Sequence, residues 1–486
     1  MKQTFLSLRY KAVVAALFLS LSSCTENFDD INTNPNNPTT ASADLFMPHG
    51  IQSAVDVYWG GSLGQDIGSG IAQHWARIQY TDVDQYTISN DIISNSWRDF
   101  YIESLADYQR IYKIGAETGN PNYQAVAVIL RSWVFSLLTD TYGDIPYKDA
   151  ILGLEGTLQP KYDAQKDVYA GLVAELKGAN DLIDATDKSK AIGGDILLGG
   201  DLTRWKKFAN SLSLRLLLRM LNKADAPIDV KAEINRILSD PAKYPVLASN
   251  ADNVQLNYLA AAPNNNPINE NRKTRDDHRV SATLVNKMLA LNDARLAVYA
   301  DRPADGGEFK GVPNGLSASD ANALGLSKTS KVGTYFTSAT APGVIMSYAE
   351  LLFIKAEYGY NSITTAGDVV TNYNAGINAS FAQYKLTPDA AYLTANALKP
   401  GAAGYTQLLE QKWIALYGQG LEAWTEYRRT GIPALTPPAL NTNNGVIPTR
   451  LPYPGSEESL NYSNFDAALK RQGGQNDKKL KLWFAK

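Results

Sequence analysis

Three long apolar stripes set the terms on which this chain can fold. Residues 123–142 place Val126, Ile129, Leu130, Trp133, Val134, Leu137 and Leu138 on one helical face. Residues 165–185 repeat the plan through Val168, Leu172, Leu176 and Leu182, and residues 203–222 through Trp205, Phe208, Leu212, Leu216 and Met220. Their starts lie about 40 residues apart, an interval that suits stacked helical hairpins. The spacing is looser than the tetratricopeptide repeat, whose sequence signature is absent. Tyr142-Gly143-Asp144-Ile145-Pro146 stops the first helix, with glycine just past its end and proline beyond. Further helices are expected at 345–361 and 405–428, and weaker ones at 42–58, 97–116, 281–291 and 366–384. Irregular stretches occupy 250–277, 301–344 and the proline- and glycine-rich tail from 431. Loops this long are functional or disordered, and a 44% hydrophobic content argues against general disorder. The expected class is all-α, with stacked helical hairpins and long irregular loops.

The amino terminus carries a second message. Lys2, Arg9 and Lys11 precede an apolar run from Ala12 to Leu21, too short to span a bilayer but suited to a signal peptide. The run ends in Leu21-Ser22-Ser23-Cys24, which resembles the bacterial lipobox: small residues fit the peptidase, and the thiol accepts diacylglycerol. The expected organisation is a signal peptide over 1–23, a lipidated tether over 24–40 anchored through Cys24, and one helical domain over 41–486. Cys24 is the sole cysteine, so no internal disulfide forms and the core must hold the fold. Thr25-Glu26-Asn27-Phe28-Asp29-Asp30 resembles the acidic export tag of surface-exposed lipoproteins.

Much chemistry can be set aside. A formal net charge of −3 without basic runs argues against nucleic acid as a partner. His49, His74 and His278 have no metal-ligand spacing. No nucleophile elbow, P-loop or dinucleotide fingerprint is present, and no cofactor is expected. Asp30, Asn32, Asn34 and Asn36 alternate as in a calcium loop, but Pro35 and Ala41 stand where that loop needs glycine and glutamate. A pair of carboxylates serving glycan hydrolysis leaves no sequence signature, so a glycan-degrading enzyme stays an alternative.

A family resemblance spans nearly the whole chain. Its segments are Asp30-Ile31-Asn32-Thr33-Asn34-Pro35, Leu130-Arg131-Ser132-Trp133 with Tyr142-Gly143-Asp144-Ile145-Pro146-Tyr147, and Arg204-Trp205-Lys206-Lys207-Phe208-Ala209-Asn210-Ser211-Leu212. Asn292-Asp293-Ala294-Arg295-Leu296, Ser347-Tyr348-Ala349-Glu350-Leu351-Leu352, Gly420-Leu421-Glu422-Ala423-Trp424 and Arg450-Leu451-Pro452-Tyr453-Pro454 follow in order. The chain thus resembles the SusD/RagB-type outer-membrane lipoproteins, the SusD-like nutrient-binding family. That resemblance implies a tetratricopeptide-like helical domain with loops over one side, lipid-anchored at the outer membrane and facing outward. It implies capture of glycans, or peptides, for a partner TonB-dependent transporter barrel (SusC-like), without catalysis. A transporter lid with no ligand binding of its own is the remaining alternative.

Sugars offer C–H faces for aromatic stacking and hydroxyls for amide and carboxylate partners. Trp133, Trp205, Trp413 and Trp424 fall on apolar helical faces and are expected in the core. Trp59, Trp75, Tyr80, Tyr86 and Trp97 lie in or near the glycine-rich 60–70 region or at an expected helix start. With Asn264, Asn265 and Asn266 they are the candidates for an exposed, shallow ligand site.

Overall fold

The computed structural model describes residues 41–486, of which Ala43–Lys486 form one compact unit. The signal peptide, Cys24, the tether to residue 40 and the alternating Asp30 to Asn36 pattern lie outside the described residues. The longer helices are α1 (Ala43–Trp59), α2 (Asn90–Arg98), α3 (Ala106–Glu117), α4 (Pro121–Tyr142), α5 (Gln165–Leu182), α6 (Leu202–Met220) and α7 (Val230–Ser239). They continue with α8 (Ala282–Ala290), α9 (Tyr348–Tyr360), α10 (Val369–Gln383), α11 (Gly401–Ala415), α12 (Gly420–Thr430) and α13 (Tyr462–Gln472). Short strands are β1 (Trp75–Arg77), β2 (Ile145–Pro146), β3 (Tyr162–Asp163), β4 (Val254–Leu256), β5 (His278–Val280) and β6 (Gly343–Met346). They pair as two-stranded antiparallel ribbons: β1 with β5, β2 with β3, and β4 with β6. The molecule is mostly helical, at 55% helix and 5% strand.

From α3 to α6 each helix packs on the next, and α9 packs on α10 and α11, the order stacked hairpins require. Local signals set the helix ends. Asn120 caps α4 by accepting from the Asn122 N–H, Pro121 starts it, and Gly143 leaves it at φ +91°. Asp201 caps α6 by accepting from Thr203 and Arg204. Helix α4 is long and apolar enough to cross a membrane by length and composition, yet 89% of that window is buried inside the protein. Walled in by α3, α5 and α6, it is a core helix apolar on nearly all sides. Trp133, Trp205, Trp413 and Trp424 are buried as expected.

A seam of buried charge runs through this stack. Arg215 and Arg219, one turn apart on α6, pair with Glu350 of α9 and with Asp140 of α4 and Glu422 of α12. Lys412 of α11 and Arg429 of α12 pair with Glu357 and Glu426. Arg428 completes the seam by donating to the carbonyl of Thr449 at 3.1 Å. Five basic groups thus face five acidic ones, all buried except the half-buried Arg429, and that balance is what lets a helical interior hold ions at all.

The structure departs from the sequence expectations in several places, among them the unexpected helix Val230–Ser239 and the short helices Pro267–Arg272 and Ala318–Leu324 within stretches expected to be irregular. The helix expected over 405–428 is two helices, because Leu416–Gln419 break it. Gly418 sits there at φ +87°, and the Trp59 ring lies 2.6 Å from where a side chain would begin. The helix expected from 345 starts at Tyr348, since Gly343–Met346 pairs with β4 and Ser347 then caps the helix. The helix expected from 97 begins at Asn90 behind its cap Ser89, and continues through a wide π-helical segment, Asp99–Leu105, into α3. The proline-rich tail is irregular as far as Pro454 and again after Gln472; between them Gly455–Leu460 and Tyr462–Gln472 are helical.

Candidate ligand-binding site

The β1–β5 ribbon draws three irregular stretches together. Its register places Trp75 opposite Val280, Ala76 opposite Arg279 and Arg77 opposite His278. Isolated bridges add Lys331 beside Arg279 and Val312 beside Ser281. Residues 60–86, 264–281 and 301–332 therefore meet at one surface, although they lie far apart in sequence.

A charge network holds the underside of that surface. Arg77 donates from Nε to Asp66 Oδ1 at 2.8 Å and also pairs with Asp277. His278 Nε2 lies 2.7 Å from the same Asp66 oxygen. Burial alone would raise the Asp66 pKa, but His278 and Arg77 together hold it below the ordinary value. Asp84 has weaker help: its Oδ2 accepts from the Arg77 backbone N–H at 2.8 Å, and burial pushes its pKa up to about 7.

Tyr80 stands on top, 69% exposed and at φ +54°. The Arg275 guanidinium lies 4.4 Å from its ring centroid, a cation–π contact. Arg275 is itself held by Asp277, with Nη2 at 2.9 Å, so Asp277 ties the surface tyrosine to the buried network. The following turn is fixed from below. Gln85 Nε2 donates to the Leu316 carbonyl at 2.8 Å, and the Thr442 N–H donates to the Gln85 carbonyl at 2.8 Å. Tyr80 and Tyr86 both hold positive φ, a conformation costly for tyrosine and tolerated where the surroundings over-determine it. The arrangement is an exposed aromatic platform whose orientation is set before any ligand arrives.

The other candidates are placed differently, and most must be withdrawn from an exposed surface. Trp59, Trp75, Tyr86 and Trp97 are buried. Trp59 donates its indole N–H to the Val344 carbonyl at 3.0 Å. Trp75 meets the His278 ring edge-on at 5.3 Å. Trp97 packs among Tyr101, Tyr142, Tyr162 and Tyr453. The neighbouring glycines serve close packing: Gly61–Ser69 is a π-helical turn against α12, and a side chain at Gly68 would strike the Gly420 backbone at 2.5 Å. Asn265 and Asn266 are also buried. Asn266 caps the short helix Pro267–Arg272, and its Nδ2 donates to the Ala341 carbonyl. Asn264 is exposed, in a crevice of about 180 Å³ beside Tyr258, Leu259 and Ile196. Of the eight candidates, Tyr80 and Asn264 face solvent.

Two features had no sequence signal. Arg275 carries none, because its partner Tyr80 lies 195 positions away. The second is an open cleft of about 520 Å³ lined by Asp56, Asp99, Glu103, Ser53, Ser62 and Asn95. There Tyr258 donates its hydroxyl to Asp56 at 2.6 Å, while burial raises the Asp56 pKa to about 6.

Among known proteins, residues 35–454 match the SusD-like sequence family described as starch-binding and associating with the outer membrane. A solved structure of a chitin-binding protein is 26% identical, with a TM-score of 0.82, and the match covers 92% of this chain and all of that one. A SusD homolog from Bacteroides fragilis is also 26% identical, with a TM-score of 0.76 over 91% of this chain and all of that one. A SusD homolog from Bacteroides uniformis, at 24% identity, shares the fold with a TM-score of 0.80 over 92% of this chain and all of that one. No curated protein matches.

Proposed function

The chain belongs to the SusD-like family, and on that premise we propose that it is a glycan receptor tethered to the outer membrane through an acylated Cys24 and facing outward. It holds its ligand without altering it and passes it to a TonB-dependent (SusC-like) transporter barrel. The observation that carries the reading is the exposed Tyr80, preset by Arg275, in a chain matching a starch-binding family across residues 35–454. A sugar ring lays its C–H face on such a platform, while the surrounding loops supply hydrogen-bonding partners. Starch is the first ligand to test because of the family description, and chitin oligosaccharides the second because of the 26% identical chitin-binding relative. Peptides form the third arm.

The buried carboxylates support the non-catalytic reading. Asp140, Glu350, Glu357, Glu422 and Glu426 are all paired with basic groups and closed off from any substrate. For a hydrolytic alternative, the open cleft with Asp56, Asp99 and Glu103 offers three carboxylates.

Affinity electrophoresis against a polysaccharide panel, with calorimetry on oligosaccharides and peptides, tests the proposal. Retardation by at least one glycan, without release of reducing ends, is the expected result. Indifference to every glycan and peptide would leave only the lid role, and steady release of reducing sugar would establish an enzyme.

A further inference from the structure

Among the described residues, the most exposed large apolar side chains lie on one edge. Leu154 is 95% exposed and Leu158 81%, both in the loop 151–160, and Leu460 is 71% exposed. The two segments are fastened together. Gln159 donates its side-chain amide to the Leu460 carbonyl at 2.8 Å, Asn461 donates to the Pro160 carbonyl at 2.9 Å, and Asn464 donates to the Gln159 carbonyl at 3.0 Å. Ile151, a β-branched residue, holds φ +62° at the root of the loop. A loop fastened in this way and still presenting leucines to water is an interaction surface waiting for an apolar partner.

Its position in the fold names the partner. Glu155 pairs with Lys113 of α3. Helices α1 and α3 run antiparallel: Tyr108 donates to the Gly50 carbonyl, and further along Arg110 covers Phe46 at 5.4 Å. The first turn of α1 and Lys113 therefore share one end of the molecule, where the exposed Leu45 also lies. The leucine loop stands at the end where the chain enters the compact unit at Ala43. From Cys24 to that point the chain spans at most about 65 Å, so an acylated Cys24 keeps this end within reach of its own bilayer.

We propose that Leu154 and Leu158, at the end of the molecule where the amino-terminal segment enters, insert into the lipid surface as a second membrane contact. The inference rests on the anchored reading above, but the two fail separately. Two acyl chains on Cys24 hold the protein at the bilayer without fixing its orientation, and a second apolar contact would fix which face of the protein turns outward.

The test uses the chain from residue 24 carrying Cys24→Ala, so that acylation contributes nothing, with vesicles of phosphatidylethanolamine and phosphatidylglycerol. In flotation, this chain should partition onto vesicles. Leu154→Asp with Leu158→Asp should lower the partition coefficient about tenfold or more, the factor for losing a buried leucine from an apolar phase, with unchanged circular dichroism. Leu154→Trp should give an emission blue shift on adding vesicles. No partition by the parent, equal partition by the aspartate variant, or a leucine-dependent dimer in solution would each overturn the proposal. Release of full-length Cys24→Ala from cell membranes reports on the anchor alone.

Discussion

Arg215 and Glu350 form a fully buried two-point ion pair, with Nε to Oε1 and Nη2 to Oε2 both at 2.6 Å. The pair joins α6 to α9 across 135 positions of sequence and locks the first hairpin stack to the second. Arg215 also donates to the Ile345 carbonyl at 2.9 Å, so the strand β6 is fastened by the same side chain.

Glu350→Ala leaves a buried guanidinium without its partner and should cost about 3–5 kcal/mol of stability. The double replacement Arg215→Met with Glu350→Leu should recover most of that loss. Chemical denaturation of the three proteins measures it; a double variant no better than the single would mean that the pair itself, and not the orphaned charge, carries the stability.

Tyr80→Ala should leave folding stability within about 0.5 kcal/mol, since the ring is exposed. Affinity for any glycan the wild type holds should fall about three- to tenfold, the value of one aromatic contact. Trp97→Ala should do the reverse, because its ring is enclosed by four tyrosines: it should lose several kcal/mol of stability, on the order of 3–5. Calorimetric titration and thermal melts on both variants decide the matter.

Gly418→Ala meets two obstacles at once, a φ of +87° and the Trp59 ring at 2.6 Å. A loss of about 2 kcal/mol or more is expected. Gly153→Ala has open space around it and should be near neutral. Similar melting temperatures for the two variants would contradict the tight junction between α11 and α12.

His74 gives the protein an acid limit. Its ring is buried against Trp413 and Tyr417, with Nε2 3.0 Å from the Trp413 carbonyl. Burial lowers its pKa from 6.5 to about 3. The folded form thus keeps the ring neutral where the unfolded chain already binds a proton. Stability from this group is complete above pH 6.5 and is lost as pH falls from 6.5 toward 3, at up to about 1.4 kcal/mol per pH unit. Asp84 acts oppositely: its raised pKa means that its contribution declines as pH climbs from 3.8 to about 7. His74→Gln should flatten the acid limb of a stability–pH curve, and an unchanged limb would assign acid sensitivity elsewhere.

Cys24→Ala should lower the share of the protein held in the outer-membrane fraction well below the wild-type level. Retention in the membrane fraction at wild-type level would refute acylation as the anchor.

The helices were legible because their cause is local. Apolar residues at helical spacing mark α4, α5 and α6, and capping groups such as Asn120 and Asp201 end them within the same short window. The family order of motifs was legible for the same reason, since each motif is contiguous. The break at Gly418 was not, because the apolar stripe runs on through Leu416 and Tyr417, while the ring that demands glycine comes from Trp59.

The proposed ligand surface belongs wholly to the tertiary structure. Tyr80 and Trp75 sit in similar sequence surroundings, yet one is exposed and the other enclosed by His278 and Tyr417. What separates them is the pairing of β1 with β5 across some two hundred positions and the contact of Gly68 with Gly420. By itself the sequence determined that hairpins would stack, because helix formation and face selection depend on neighbours within a turn or two. Which aromatics reach water depended on contacts between distant segments, and only the folded chain, by closing those loops, could decide it.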